Sequence, residues 1–196
     1  MNASLAVRKA HPSDASTVLE LLDGCCLWLR STGKGRNGGM NQWPERFDPC
    51  EISDKIDSGE FYLADYEGLP AGTFCFTAHP DWYGRLCQDQ QIREAVAARM
   101  EISESELLRI AVQSELAEPA MYWHSFAVSR HLTGQGIGRA LLNWGEEATR
   151  QRQFRMLRLD CHYLNVRLRQ YYIDAGFESL HYLGEQPFGG IFQKRV

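Results

Sequence analysis

The segment Met121–Arg150 constrains the fold more than any other stretch, because it joins an apolar run to a helical pattern through a glycine-rich turn. Met121–Val128 is apolar and aromatic with no breaker, which predicts a buried strand. From Ile137 onward, apolar residues recur at spacings of four, three and four, which predicts one face of a helix. Between these two parts lies Thr133–Gly138. The sequence therefore predicts a strand, a glycine-rich turn and a helix.

Such a turn is suited to bind an anion. The first N–H groups of a helix have no partner within the helix and lie at the positive end of its dipole. Glycines let the backbone approach a ligand closely, and Arg139 adds a cation in the first helical turn. The P-loop and dinucleotide motifs both fit poorly, because their glycine spacing and following residues differ. The residues alone therefore indicate an anion site at a helix start.

A second motif makes the pattern more specific. Asn165 is followed by Tyr172 and then by Gly176 and Phe177. The two motifs together, in register over about residues 120–180, resemble the GNAT superfamily of acyl-CoA-dependent N-acyltransferases. The residues that carry the first motif are Phe126, Ala127, Val128, Gly134, Gln135, Gly136, Ile137, Gly138 and Arg139.

The resemblance implies an α/β fold with a mixed, mostly antiparallel central sheet flanked by helices. A single acyltransferase domain is expected over residues 1–196. A helical insertion is predicted at about 84–118, before the central strand, where Ser103 and Glu106 form a capping box. This insertion is interpreted either as a lid or acceptor-side wall for a cationic substrate, or as solvated decoration or an oligomer contact. A homodimer stays open.

The same resemblance implies an enzyme that moves an acetyl or other short acyl group from acyl-CoA to a primary amine by direct attack on the thioester. Residues 134–139 are expected to hold the pyrophosphate, and backbone groups of residues 126–128 the pantetheine arm. Asn165 is expected to bind the pantetheine amides or, alternatively, to cap a helix. The family usually has Arg or Gln where this chain has Thr133. Two other interpretations stay open: an acyl group carried on a carrier protein's phosphopantetheine, and a non-catalytic acyl-CoA sensor.

Two residues are candidates for proton transfer. Tyr172 matches the family tyrosine that protonates the departing thiolate, a role that suits a phenol with a pKa of about 10. His124 lies on the central strand, where its position is similar to that of a base in arylalkylamine acetyltransferases. An imidazole with a pKa of about 6.5 suits a general base. His162 and Asp160 are rivals for that role, and an N–H near Phe126 is expected to stabilise the oxyanion.

Alternation along the central strand predicts that His124 shares its face with Tyr122, Phe126 and Val128. The acceptor is expected near the segment after the first helix, which the family generally uses for this purpose. Trp28 and Trp43 are therefore candidate acceptor contacts, although Trp28 also fits core packing. The acceptor is expected to be a small molecule that also lies near His162.

Composition excludes several other classes. A net charge of -4 over 196 residues favours no nucleic-acid partner. No apolar run approaches the length of a membrane span and no signal peptide opens the chain, so a cytoplasmic protein is expected. The six cysteines show no C-x-x-C or zinc spacing, so no metal site is predicted. They are interpreted as small buried hydrophobes, with Cys161 as an open alternative nucleophile.

Overall fold

A computed structural model describes residues 5–31, 47–78, 118–161, 165–179 and 190–196, with a few isolated positions between 94 and 106. Most of the predicted insertion at about 84–118 lies outside these described residues, as do Trp43 and His162. The helices that position the site are α1 (Ala15–Ser31), α2 (Pro49–Asp57), α3 (Ile137–Gln151) and α4 (Val166–Asp174).

The described residues contain seven strands: β1 Leu5–Lys9, β2 Phe61–Tyr66, β3 Leu69–Thr77, β4 Ala120–Val128, β5 Met156–Cys161, β6 Glu178–Ser179 and β7 Gly190–Arg195. They form one sheet in the order β1-β2-β3-β4-β5-β7-β6. Neighbouring strands are antiparallel except β4 and β5, which are parallel because the crossover between them contains α3. The predicted mixed, mostly antiparallel sheet is confirmed.

Helices cover both faces of this sheet. On the face that we call the front, α1 and α2 pack against Phe61, Leu63 and Ala127. On the opposite face, the back, α3 and α4 pack against a larger core that includes Trp123 and Phe192. The two cores bury most of the apolar side chains of the central strands, so the sheet is a rigid support for groups at its strand ends.

The back core is mainly aromatic around α3. Trp123 is almost fully buried, stacks on Phe74 with ring centroids 4.1 Å apart and meets Phe126 edge to face at 5.2 Å. Its indole also lies against Gly145 of α3, where a Cβ atom would overlap the ring. A glycine is therefore required where α3 crosses β4, and α3 lies close enough to place its N-terminus at the end of β4.

The sequence analysis missed α2. Asp48 is its N-cap and accepts a hydrogen bond from the Cys50 N–H at 2.9 Å, while Pro49 occupies the first turn. The helix buries Ile52 and Ile56 against the front face. An N-cap Asp followed by Pro is a sequence signal for a helix start, so this element was predictable.

Candidate active site

The sheet opens in its middle. The parallel pairing of β4 with β5 begins at Ala120 and Met156 and ends at Trp123 and Leu159. Yet β4 continues to Val128 and β5 to Cys161. On its other side, β4 stays paired with β3 as far as Val128. The C-terminal halves of β4 and β5 therefore leave a gap with backbone groups along its β4 edge, which we call the strand gap.

A bulge in β4 decides which side chains border the strand gap. Between two ladder pairs, Thr73–Ala127 and Cys75–His124, β3 advances by two residues and β4 by three. The extra residue lies at Ser125, whose φ is +51°. The bulge reverses the alternation, so that a strand that looks continuous in sequence changes faces at this point.

The predicted grouping of side chains on β4 is therefore wrong. His124 stays on the front face, opposite Cys75 of the front core. Phe126 and Val128 instead pack with Trp123 in the back core. One inserted residue separates the candidate base from two side chains that strict alternation places beside it.

His124 is half-buried beneath α2. Burial first, and then the positive charge of Lys55, lower the pKa of His124 from 6.5 to about 4, against the opposing effect of Glu51. Lys55 and Glu51 themselves form an ion pair at 2.8 Å along α2. The Nδ1 atom of His124 lies 3.2 Å from the Ser125 hydroxyl oxygen. The imidazole is thus neutral at physiological pH, with a free lone pair for a proton, but it is a weaker base than an ordinary histidine.

Tyr172 lies on the other side of the sheet. It is 4% exposed, and its ring packs against Phe192 and Phe177 at centroid distances of 5.5 and 6.1 Å. Burial raises the pKa of Tyr172 well above 10, with smaller contributions from Cys161 and Asp160 at the end of β5. The phenol therefore keeps its proton at physiological pH. The predicted acid and base lie on opposite faces of the sheet, on either side of the strand gap.

The glycine loop has the backbone shape of an anion site. Gly134 and Gly136 have φ values of +83° and +76°, and a Cβ on either would meet no protein atom within 4 Å. Gly136 is the N-cap of α3 and supplies no side chain, so the first N–H groups of the helix face outward. Gly138 instead packs on α4, because a Cβ there would lie 2.9 Å from the Tyr171 hydroxyl.

Two side chains of the loop are engaged within the protein. The Thr133 hydroxyl donates to the carbonyl of Arg130 at 2.7 Å. The guanidinium of Arg139 donates to the Asp174 carbonyl at the end of α4, also at 2.7 Å. Arg139, predicted to contact pyrophosphate, thus points its charged group at α4.

Asn165 is the N-cap of α4. Its Oδ1 accepts a hydrogen bond from the Leu168 N–H at 3.2 Å, so Asn165 caps the helix, which was one of its two predicted roles. Within the described residues the side-chain NH₂ group has no such partner. Capping uses only the acceptor end of the amide, and the donor end is compatible with the predicted role toward pantetheine.

The remaining predicted residues fall in different places. Trp28 lies on α1 with its ring beneath the guanidinium of Arg130, 3.7 Å from the Arg130 Cζ atom to the ring centroid, at the glycine-loop end of the sheet. Asp160, a predicted rival for the base, lies one residue before the end of β5 and is half-buried. Cys161 is 6% exposed, and burial raises its pKa to about 12, so it stays a thiol and is a poor nucleophile.

The sequence analysis missed three contributors to this site. Ser125 carries the bulge, Lys55 acts on His124 from the unpredicted α2, and Arg130 stacks on Trp28. A bulge has no compositional signature, and the other two depend on contacts between distant parts of the chain. Only the basic character of Arg130, three residues before the glycine loop motif begins at Thr133, was visible in sequence.

Comparison with known proteins agrees with this geometry. The chain matches the Acetyltransferase (GNAT) family over residues 28–177, which is more than half its length. The chain belongs to the GNAT acetyltransferase family. The resemblance and the enzyme class that the sequence predicts, an acyltransferase, are thereby confirmed.

Individual relatives of this GNAT protein are distant but cover nearly its whole length. The Bacillus subtilis (strain 168) protein YesJ, an uncharacterized N-acetyltransferase, is 25% identical over 93% of this chain and 86% of its own. A GNAT acetyltransferase structure from Listeria monocytogenes 4b F2365 has a TM-score of 0.71 and 24% identity, covering 100% of this chain and 99% of its own. PaiA N-acetyltransferase from Thermoplasma acidophilum, in complex with coenzyme A, has a TM-score of 0.66 and 15% identity, covering 98% and 99%.

The described part of the chain shows neither a candidate membrane span nor a candidate metal site. No described helix has both the length and the apolar character needed to cross a membrane. Among the same residues, no three His, Cys, Asp or Glu side chains come together as a metal site.

Proposed function

We propose that this GNAT protein transfers an acetyl or other short acyl group from acyl-CoA to a primary amine of a small acceptor. The observation that carries the proposal is the strand gap with a neutral histidine on its front side and a protonated tyrosine on its back side. Direct transfer requires a base for the nucleophile and an acid for the leaving group, on either side of one thioester. The shared sheet also supports a single domain over residues 1–196.

We assign the acyl donor to the glycine loop and the strand gap. The outward N–H groups at Gly136 and the first turn of α3 suit the pyrophosphate. The β4 edge beyond Trp123 offers backbone groups to the amides of the pantetheine arm, much as another strand would. The Asn165 NH₂ group is a further donor for a pantetheine carbonyl. A coenzyme A complex is part of the PaiA structure, whose fold this chain shares, and this supports the same cosubstrate here.

Transfer then needs two proton movements. The acceptor nitrogen attacks the thioester carbonyl from the front and forms a C–N bond, while its proton passes to His124 directly or through water. An Nδ1–H donated to Ser125 leaves Nε2 of His124 free to accept that proton. The C–S bond breaks, and the thiolate takes a proton from Tyr172 on the back. An N–H of β4 near Phe126 stabilises the oxyanion.

Titration calorimetry of acetyl-CoA against the wild type and Gly136→Trp tests the donor site. We expect saturable wild-type binding that the variant loses, because the added side chain fills the space before the first turn of α3. Gly68→Trp is the matched control: Gly68 has a φ of +81° and equally open surroundings, but lies in the β2–β3 turn. Equal loss in both variants would show only the effect of backbone strain.

A screen of primary amines, followed by release of the free thiol, then tests the reaction. Turnover with at least one amine is the expected result. A folded wild type that binds no acetyl-CoA would contradict the free coenzyme and favour a carrier-protein donor, since Thr133 lacks the long phosphate-binding side chain. Binding without turnover across the panel would instead indicate a sensor.

A further inference from the structure

A cleft of about 510 Å³ lies between α1 and the end of β4, and we call it the α1 cleft. One wall is α1, which contributes Thr17 and Glu20. The other wall, which we call the turn wall, is Ser129 and Arg130 in the turn after β4. Apolar side chains complete much of the lining: Leu21, Pro70 and Val128. The volume is within the range of small-ligand sites, about 300–1,000 Å³.

The two walls carry opposite charges that the protein does not use. Among the described residues, Glu20 and Arg130 form no ion pair, either with each other or with another side chain. The guanidinium of Arg130 instead lies over the ring of Trp28 at 3.7 Å. Stacking on an indole fixes the plane of a guanidinium and leaves its N–H edges available. Each wall of the α1 cleft therefore presents one charge for a ligand.

The hydroxyl groups of the α1 cleft are also unused. Ser129 is the N-cap of a short helical turn, yet its side chain makes no capping hydrogen bond. In the part of the chain that the structure describes, Thr17 makes no side-chain hydrogen bond either. By contrast, Thr149 of α3 donates to a carbonyl one helical turn back at 2.6 Å, which is the usual bond for a threonine within a helix. Each wall thus combines a charged group with a hydroxyl.

The α1 cleft is separate from the strand gap. Ala127 lies between His124 and Val128 along β4, and it is buried in the front core against α1. The Cys25 thiol of α1 also reaches the Val128 carbonyl at 3.7 Å. Because α1 is packed on β4 between His124 and the cleft, a ligand in the cleft is not the amine that attacks the thioester. The lining also includes none of the glycine loop, residues 134–139.

We propose that the α1 cleft binds a small zwitterion, with its ammonium group on the α1 wall and its carboxylate on the turn wall. An ammonium has only donors, which the Glu20 carboxylate and the Thr17 hydroxyl oxygen accept. A carboxylate has only acceptors, to which the Arg130 guanidinium and the Ser129 hydroxyl donate. A ligand with a single charge pairs with one wall only. This site is independent of the proposed acyl transfer.

A titration followed by amide chemical shifts tests the site with unbranched amino acids: glycine, β-alanine, γ-aminobutyrate and ε-aminocaproate. The two charges lie further apart in each successive member, so the width of the cleft should select among them. We expect saturable binding of at least one member, with shifts at residues 17–24 and 128–131. That member should bind at least about tenfold more tightly than n-butylamine or butyrate, which carry one charge each.

Substitutions on the two walls test the assigned contacts. Glu20→Gln and Arg130→Gln should each weaken binding of that amino acid at least about tenfold. Glu147→Gln and Arg150→Gln are the matched controls, because they remove exposed charges of the same signs on α3, outside the cleft, and should leave the affinity unchanged. Gly24→Leu should abolish binding in a folded protein, because a Cβ at Gly24 meets nothing within 4 Å and leucine favours a helix.

Three results would overturn the zwitterion site. The first is that no amino acid of the series binds, and the second is that butyrate or n-butylamine binds as tightly as the best amino acid. The third is that the shifts occur at residues 134–138, which would place the ligand at the glycine loop. Each of these results leaves the acetyl-CoA titration and the amine screen unaffected, so a failure here is distinct from a failure of the proposed function.

Discussion

Tyr172 is the residue whose chemistry is easiest to isolate, because an adjacent tyrosine provides an internal control. Replacing it with phenylalanine removes only the hydroxyl and keeps the ring packed on Phe192. We expect Tyr172→Phe to lower kcat by about 10²-fold, since the thiolate then leaves without a proton donor. Calorimetry should show unchanged affinity for acetyl-CoA.

Tyr171→Phe is the control for that prediction. Tyr171 is half-buried, and its hydroxyl lies against Gly138 at the start of α3. Its removal should leave kcat nearly unchanged. A large effect from Tyr171→Phe and none from Tyr172→Phe would reassign the acid to the neighbouring residue.

The burial of His124 predicts how the stability of the folded protein depends on pH. The folded state holds its pKa at about 4, while the unfolded chain has a value near 6.5. Below pH 6.5 the unfolded state therefore binds a proton that the folded state resists, so stability falls as the pH drops toward 4. The stability that depends on this residue is about 3 kcal/mol, is fully present above pH 6.5 and is lost as the pH falls toward 4.

Urea unfolding at a series of pH values between about 7.5 and about 4 measures this effect. His124→Gln should remove part of the slope, because glutamine does not titrate. A slope identical in the two proteins would show that the imidazole is well solvated in the folded state. Sequence could not give this behaviour, since Lys55 and α2 supply the environment.

At the scale of elements, the contact between α3 and β4 depends on one glycine. Trp123 leaves no room for a Cβ at Gly145, so Gly145→Ala should destabilise the protein by about 1–3 kcal/mol. Gly24, also within a helix, has nothing within 4 Å of its would-be Cβ. Gly24→Ala should therefore stabilise by about 0.5–1 kcal/mol. Denaturant unfolding of both variants measures the change in the free energy of unfolding. Changes of the same sign in both variants would contradict the packing argument.

The start of α2 depends on a side-chain cap. Asp48→Ala removes the acceptor for the Cys50 N–H and should cost about 1 kcal/mol of unfolding free energy. Asp57→Ala removes the same charge at the other end of the helix, where an acidic side chain opposes the dipole. It should be neutral or slightly stabilising in the same urea titration. A similar loss of unfolding free energy in both variants would indicate a general effect of removing a negative charge, and not the loss of the cap.

Features with a local cause are predictable from the sequence, whereas features that depend on an irregularity or on distant contacts are not. β4 ends at Val128, as the apolar run predicts, and α3 begins at Ile137, where the helical spacing begins. The glycine loop and Asn165 were visible because their spacing along the chain carries the information. The faces of β4 were not, because Ser125 adds one residue without changing the composition, and alternation is valid only while its period is unbroken.

At the scale of the whole molecule, the sheet separates the candidate base from the candidate acid. His124 is reached from the side of α1 and α2, and Tyr172 belongs to the core under α3 and α4. The proposed direct transfer needs the acyl donor and the amine acceptor to be bound at the same time. Steady-state kinetics should therefore give intersecting, sequential patterns.

The strand gap also links the cosubstrate to folding. Two strands that separate within a sheet expose edges that other chains can pair with, which is a common origin of aggregation. A pantetheine arm along β4 would cover such an edge, and a ligand at about 100 times its Kd adds about 2.7 kcal/mol to stability. Coenzyme A should raise Tm and slow hydrogen exchange of the amides at residues 124–128, but not in Gly136→Trp. Acyl-donor supply in the cell would then set how long each molecule survives as well as how fast it works.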